Sequence, residues 1–216
     1  MSITNTVQIP KGYFLKQSKQ EYASYAQRLV QELFQNSVDA GATEIKINFK
    51  NDGYEMIDNG KGMNRETMVD AMLTFGGTQK DEGNAGGFGH AKILLLFSMD
   101  SFTIQSRNTT ALGEGLNYEI GDSEYLNGTI VTGKFAKEWD VSAERMALIT
   151  KSFLQKCDLK AKVYINDTEY TNWMITNRAV RKNEWSKLYS KKTTYDCYYL
   201  YVRKNGLFMF EKYMGE

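Results

Sequence analysis

From Gln17 to Ala40 the apolar residues Tyr22, Tyr25, Ala26, Leu29, Val30, Leu33, Phe34 and Val38 recur at intervals of three and four. That spacing predicts a helix with a broad buried face, and Gly41 directly after it suits a helix end. Residues 1–16 alternate loosely, as one or two short strands would. Ile45-Lys46-Ile47-Asn48-Phe49 alternates with period two, and Asn51-Asp52-Gly53 turns it into a partner strand from Tyr54 to Ile57. Helical patterns follow at about Asn64–Leu73, His90–Met99 and Val141–Cys157. Further strands are predicted near 101–107, 115–120 and 129–135, at Lys162–Ile165, and at Tyr198–Val202 and Leu207–Phe210 around an Asn205-Gly206 turn. Strand pairs joined by turns, with few helical crossovers, predict an α+β sandwich rather than a parallel doubly wound sheet.

Composition narrows the class. The 216 residues fit one generous domain or one domain with an appendage. At 42% apolar and 25% charged, the chain has the make-up of a soluble globular protein. Lys and Arg number 27 against 26 Asp and Glu, a formal charge of +1, so no global field favours nucleic acid or an anionic membrane. The longest apolar run, Ile93–Phe97, is far short of the ~20 residues a bilayer span needs, which predicts no membrane partner. The N-terminus lacks the basic start and apolar core of a signal peptide. The two cysteines, Cys157 and Cys197, are too few for a disulfide framework and are expected as buried thiols. The expected location is therefore the cytoplasm, of a cell or of an infected host cell. Arg178, Arg181, Lys182, Lys187, Lys191 and Lys192 interleave with Trp185 and Tyr189, a pattern that nucleic acid binders share with ordinary basic surfaces. Overall neutrality favours the surface.

Three segments carry possible chemistry. Glu32, Asn36 and Asp39 stand at i, i+4 and i+7 on the first long helix, hence on one face, bordered by Leu29, Leu33 and Val38. Alone they read as a solvated helix edge. Asp58-Asn59-Gly60-Lys61-Gly62-Met63 ends a strand in a glycine turn. Asp and Gly favour turns for conformational reasons alone. A carboxylate at a strand end also accepts a hydrogen bond from an exocyclic amine, with Gly60 and Gly62 allowing close approach of a planar ring. Between 74 and 89, Gly76, Gly77, Gly83, Asn84, Gly86, Gly87 and Gly89 make a long loop of the kind used for binding. It ends in Gly86-Gly87-Phe88-Gly89-His90-Ala91-Lys92 at a helix entry, where free amide groups suit an anion.

In this order and at these separations the segments resemble the Bergerat-type ATP-binding fold of the GHKL superfamily. Its members include gyrase B subunits, ninety-kilodalton heat-shock chaperones, mismatch-repair MutL proteins, microrchidia ATPases and sensor histidine kinases. Glu32–Ala40 resembles the N-box, Asp58–Met63 the adenine box, Gly86–Lys92 the second glycine box, and Asn127-Gly128-Thr129-Ile130-Val131 the closing Gly-Thr strand. The likeness covers roughly residues 20–135 and is closest in flavour to microrchidia and chaperone-like members. It implies a two-layer sandwich of a mixed, mainly antiparallel sheet covered by helices. It also implies ATP and Mg²⁺ as ligands. Asn36 would hold the metal, and Glu32 would orient or deprotonate the attacking water. Asp58, supported by Thr129, would accept the adenine amine, and Asp39, Gly60, Gly62 and Met63 would build its pocket. Gly86, Gly87, Phe88 and Gly89 would wrap the phosphates, with His90 and Lys92 beside them and Thr78 and Lys80 reaching from the lid. Ala91 stands where the family usually has a third glycine.

Glu32 favours hydrolysis over phosphotransfer, since water needs a base or an orienter. Only about 30 residues precede the N-box and the sole histidine is His90, leaving no separate phosphoacceptor. The expected activity is Mg-dependent ATP hydrolysis, with closure of a lid over 74–88 and dimerisation on ATP binding. A nucleotide-regulated binding module with little hydrolysis and a protein kinase of the same fold are the alternatives. The expected organisation is an N-terminal arm at 1–16, an ATP-binding domain at 17–170 and a C-terminal extension at 171–216. DNA and a client protein stay open as partners.

Overall fold

A computed structural model of the chain describes residues 9–10, 12–74, 92–171, 179–182, 186–192 and 198–213. Helix α1 (Tyr13–Glu21) is followed by α2 (Tyr25–Asp39). The antiparallel pair β1 (Glu44–Lys50) and β2 (Gly53–Asp58) comes next, then a short α3 (Arg65–Met68) that continues as a π-helical turn over Val69–Leu73. A second π-helical segment, Ile93–Phe97, leads into the long hairpin β3 (Ser101–Glu114) and β4 (Asn117–Lys134). Helix α4 (Ala143–Gln155) connects to β5 (Lys162–Ile165) and β6 (Thr168–Tyr170). Four more strands close the chain: β7 (Ala179–Lys182), β8 (Ser186–Lys192), β9 (Tyr198–Lys204) and β10 (Leu207–Tyr213).

The main sheet runs β3-β4-β2-β1-β5-β6. All its pairings are antiparallel except β1 with β5, which are parallel because α4 carries the chain back across the sheet. This is the mixed, mainly antiparallel sheet expected of the fold, with helices as its second layer. Burial alternates along β1, whose Ile45, Ile47 and Phe49 face the helices, as a half-buried strand requires. They meet Leu29, Leu33 and Phe34 of α2, Met146 and Phe153 of α4, and Leu94–Phe97 in one core. The Tyr54 hydroxyl, on β2, donates to the Leu95 carbonyl at 2.7 Å and ties the π-helical segment to the sheet.

The chain departs from its periodicity in identifiable places. The single helix expected over 17–40 is two helices, and the stretch from Tyr13, expected as strand, is helical. Tyr22 turns to extended backbone and Ser24 caps α2, its Oγ accepting from the Gln27 N–H at 3.3 Å. Apolar spacing alone runs through that break because both helices present apolar residues to one core. The strands expected at 101–107, 115–120 and 129–135 merge into two long ones. Residues 117–127 are mostly exposed and polar, so pairing in a ribbon, not burial, holds them in strand form. Strands β6, β7 and β8 were not foreseen.

The β9–β10 hairpin docks on the C-terminal end of α4. The Arg203 guanidinium donates to the Lys156 carbonyl, the Asp158 N–H donates to Gly206 O at 2.7 Å, and the Phe208 N–H donates to the Cys157 thiol at 3.4 Å. Burial there pushes the Cys157 thiol up to about 12, so it packs as a neutral side chain. Arg178, Trp185 and Cys197 lie outside the described residues.

Candidate functional site

The site is built where the C-terminal end of α2 meets the end of β2. The Lys61 N–H donates to the Ala40 carbonyl at 2.9 Å, and the Asn59 carboxamide oxygen accepts from the Thr43 and Glu44 amides at 2.8 and 2.9 Å. These bonds lay the Asp58 turn against the last turn of α2. A Cβ on Gly60 would fall 2.6 Å from the Ala40 Cβ, so the approach is possible only for glycine. Gly62 has a left-handed φ of +64°. The two glycines therefore let chain pack on chain.

Asp58 is 9% exposed. Its Oδ1 accepts from the Gly60 N–H at 2.9 Å and its Oδ2 from the Ser37 hydroxyl at 3.1 Å. Burial raises its pKa above the usual carboxylate range, against the opposing pull of these two donors. Each carboxylate oxygen keeps acceptor capacity beyond its one protein donor.

Register sets Asp58 in a row across the sheet. It pairs with Thr129 on β4, and Thr129 pairs with Ser106 on β3. Ser106, fully buried, is the hub of this row. Its Oγ accepts from the Met63 N–H at 2.8 Å, donates to the Gly128 carbonyl at 2.7 Å and lies 3.0 Å from Thr129 Oγ1. The Asp58–Met63 turn and the Gly-Thr strand, some 65 residues apart in sequence, thus meet through one serine. Arg107 closes the outer side, its guanidinium donating to the Lys61 carbonyl at 2.9 and 3.1 Å.

One turn back along α2, Glu32 is 3% exposed and paired with the Arg28 guanidinium four residues before it. Arg28 also donates to the Gln31 side chain at 3.1 Å and lies over the Tyr22 ring. Asn36, one turn after Glu32 on α2, is half-buried, and the Gln35 amide reaches Asp39 at 3.5 Å. A lone amide oxygen suits magnesium, which keeps several non-protein ligands and takes few from the protein. Lys92 is buried, and its Nζ donates to the Thr74 carbonyl at 2.5 Å; burial lowers its pKa. That contact holds its ammonium at Thr74, just past the Val69–Leu73 segment. Gly86, Gly87, Phe88, Gly89 and His90, together with Thr78, Lys80 and Ala91, lie outside the described residues.

The structure thus joins Asp58, Gly60, Met63 and Thr129 through Ser37 and Ser106, with Glu32, Asn36 and Asp39 on the helix that carries Ser37. Sequence reasoning passed over Ser37, Ser106 and Arg28. Ser37 sits one residue after Asn36 in the helical motif and was open to notice. Ser106 lies in a plain strand, and no local pattern marks it.

Residues 23–127 match the family model of histidine kinase-, DNA gyrase B-, and HSP90-like ATPases. The chain is 32% identical over 124 residues to the DNA mismatch repair protein MutL of Chlorobium chlorochromatii, covering 52% of this chain and 19% of that protein. It is 30% identical over 139 residues to the MutL of Dictyoglomus turgidum, covering 57% and 24%. The chain therefore spans about a fifth of the length of these curated relatives. They are mismatch-repair proteins, so the expected leaning toward microrchidia and chaperone-like members gains no support from them. Ordered motifs, a helix-backed mixed sheet with a buried aspartate at its β2 end, and the family match lead to one conclusion: this chain carries an ATPase domain of the GHKL superfamily.

Proposed function

We propose that the domain binds ATP with magnesium and hydrolyses it. The observation that carries this reading is the buried Asp58 carboxylate, held with acceptor capacity to spare by Gly60 and by Ser37, which stands five residues after Glu32 on the same helix. A carboxylate desolvated to this degree, with no salt bridge among the described residues, is costly unless a further donor completes it, and an adenine amine supplies one. Asn36 would hold the magnesium, which when bound neutralises charge on the phosphates. Glu32 would orient the attacking water and receive its proton. Gly86, Gly87, Phe88, Gly89, His90 and Lys92 would form the phosphate side. Closure of the 74–88 lid, an exchanged arm at 1–16 and dimerisation on ATP binding belong to the same proposal. So do a cytoplasmic location and the boundaries at 17–170 and 171–216.

One observation favours the runner-up, a nucleotide-regulated module with slow turnover. Glu32 is ion-paired with Arg28, so the guanidinium occupies one carboxylate oxygen that an attacking water would need. Phosphate release and ATP binding measured on wild type and Glu32→Ala decide between the two. Hydrolysis predicts that the variant loses phosphate release and retains binding. Equal release by the two proteins supports the module instead.

A further inference from the structure

We propose that Ser106 is a positioning residue for nucleobase specificity: it fixes Thr129 as a pure hydrogen-bond acceptor, so that Thr129 and Asp58 together select a base with an amine at position 6. The inference rests on the adenine-nucleotide reading above and concerns how that site tells one purine from another.

A serine hydroxyl has one hydrogen and two acceptor lone pairs. Ser106 Oγ has three neighbours within bonding distance: the Met63 N–H, the Gly128 carbonyl and Thr129 Oγ1. The Met63 amide can only donate and the Gly128 carbonyl can only accept. The single Ser106 hydrogen is therefore committed to Gly128 O at 2.7 Å, because two bare oxygens at that distance would repel. One lone pair takes the Met63 amide, and the other is left for Thr129, which must then be the donor in their 3.0 Å contact. Thr129 has given up its only hydrogen, and what remains on its Oγ1 is lone pairs.

Asp58 stands beside Thr129 in register on the neighbouring strand, and its Ser37 and Gly60 bonds both run into the carboxylate. The row thus offers two acceptors and no donor. An adenine amine, with two N–H groups, satisfies both. A base with a carbonyl at position 6 sets an acceptor against acceptors, and sites built to pair one polarity reject the other strongly. Ser106, Thr129 and Gly128 are buried, so water cannot reverse Thr129 without breaking a bond.

The test compares ATP with inosine triphosphate, which carries a carbonyl at position 6, by calorimetric titration of wild type and Ser106→Ala with magnesium present. Wild type should prefer ATP by on the order of 100-fold. In Ser106→Ala the Thr129 hydroxyl is free to rotate and donate to the carbonyl, so the preference should shrink by about tenfold, with part of the change a gain in inosine triphosphate affinity. A general loosening of the pocket would weaken both nucleotides alike and leave the ratio unmoved; that outcome overturns the proposal. Thr129→Val, which keeps Ser106 and removes the acceptor, should compress the ratio as well, and it serves if Ser106→Ala does not fold. An unchanged ratio in a folded Thr129→Val also refutes the assignment. If wild type binds neither nucleotide, the adenine reading itself fails, and the specificity argument with it.

Discussion

Replacing Asp58 by asparagine should separate binding from stability. Asparagine matches the carboxylate in shape and keeps one oxygen, which can still accept from the Gly60 N–H now bonded at 2.9 Å. Its amide nitrogen then faces the Ser37 hydroxyl, 3.1 Å from the present Oδ2, and that hydroxyl can turn to accept. Both bonds survive, so neither contribution of about 1 kcal/mol is lost. What disappears is a negative charge in a site where burial already disfavours it. Asp58→Asn should therefore be as stable as wild type at pH 7, or more stable by up to about 1 kcal/mol, a rise of roughly 2–4 °C in Tm for a chain of this size. The sign with pH follows from the raised pKa. In the folded state the protonated form is favoured, so the stability that Asp58 contributes is present below its unfolded value and is lost as pH rises through its folded value. Any advantage of the variant should accordingly appear above that range and vanish in acid. Nucleotide affinity should move the other way. A hydrogen bond to a charged acceptor contributes about 1.5–3 kcal/mol, so ATP binding should weaken about 10- to 100-fold. Thermal melts between pH 3 and 8 and calorimetric titration with ATP test both parts. A variant that melts well below wild type at pH 7, or that binds ATP normally, would refute the reasoning.

Three other outcomes follow from the same geometry. Arg28→Gln should raise phosphate release severalfold at near-constant ATP affinity, because it frees the Glu32 carboxylate oxygen that the guanidinium now occupies; reduced turnover would show that the ion pair orients Glu32 instead. Gly62→Ala should destabilise by about 2–3 kcal/mol, since it combines a left-handed φ with a Cβ 2.8 Å from the Gly128 carbonyl. Gly41→Ala, with a φ of +73° and open space around it, should lose only about 1–2 kcal/mol, and equal melting shifts for the two would contradict that contact. In a Cys197→Ser background, the Cys157 thiol, pushed up to about 12 by burial, should resist a thiol reagent at pH 8 until the protein unfolds; labelling of native protein at the unfolded rate would contradict its burial.

What the sequence by itself determined was the local chemistry. The helix carrying Glu32, Asn36 and Asp39, the strand ending in Asp58 and the Gly-Thr strand each announce themselves by periodicity and residue type, and their order is enough to suggest the family. Helix breaks and ribbon strands were less legible, because Ser24 interrupts a helix whose apolar spacing carries on, and residues 117–127 are strand through pairing alone. Tertiary structure decided which groups meet. Ser106 gains its place from a register that sets it beside Thr129 and from a fold that brings the Met63 amide to its oxygen, neither of which its own neighbours in sequence encode. The Glu32–Arg28 pair is one helical turn apart and so was open to sequence reasoning, but only burial makes it consequential, since an exposed pair of that spacing contributes little. Short-range spacing is written in the chain; hydrogen-bond direction and desolvation arise only when distant segments close around the same atom.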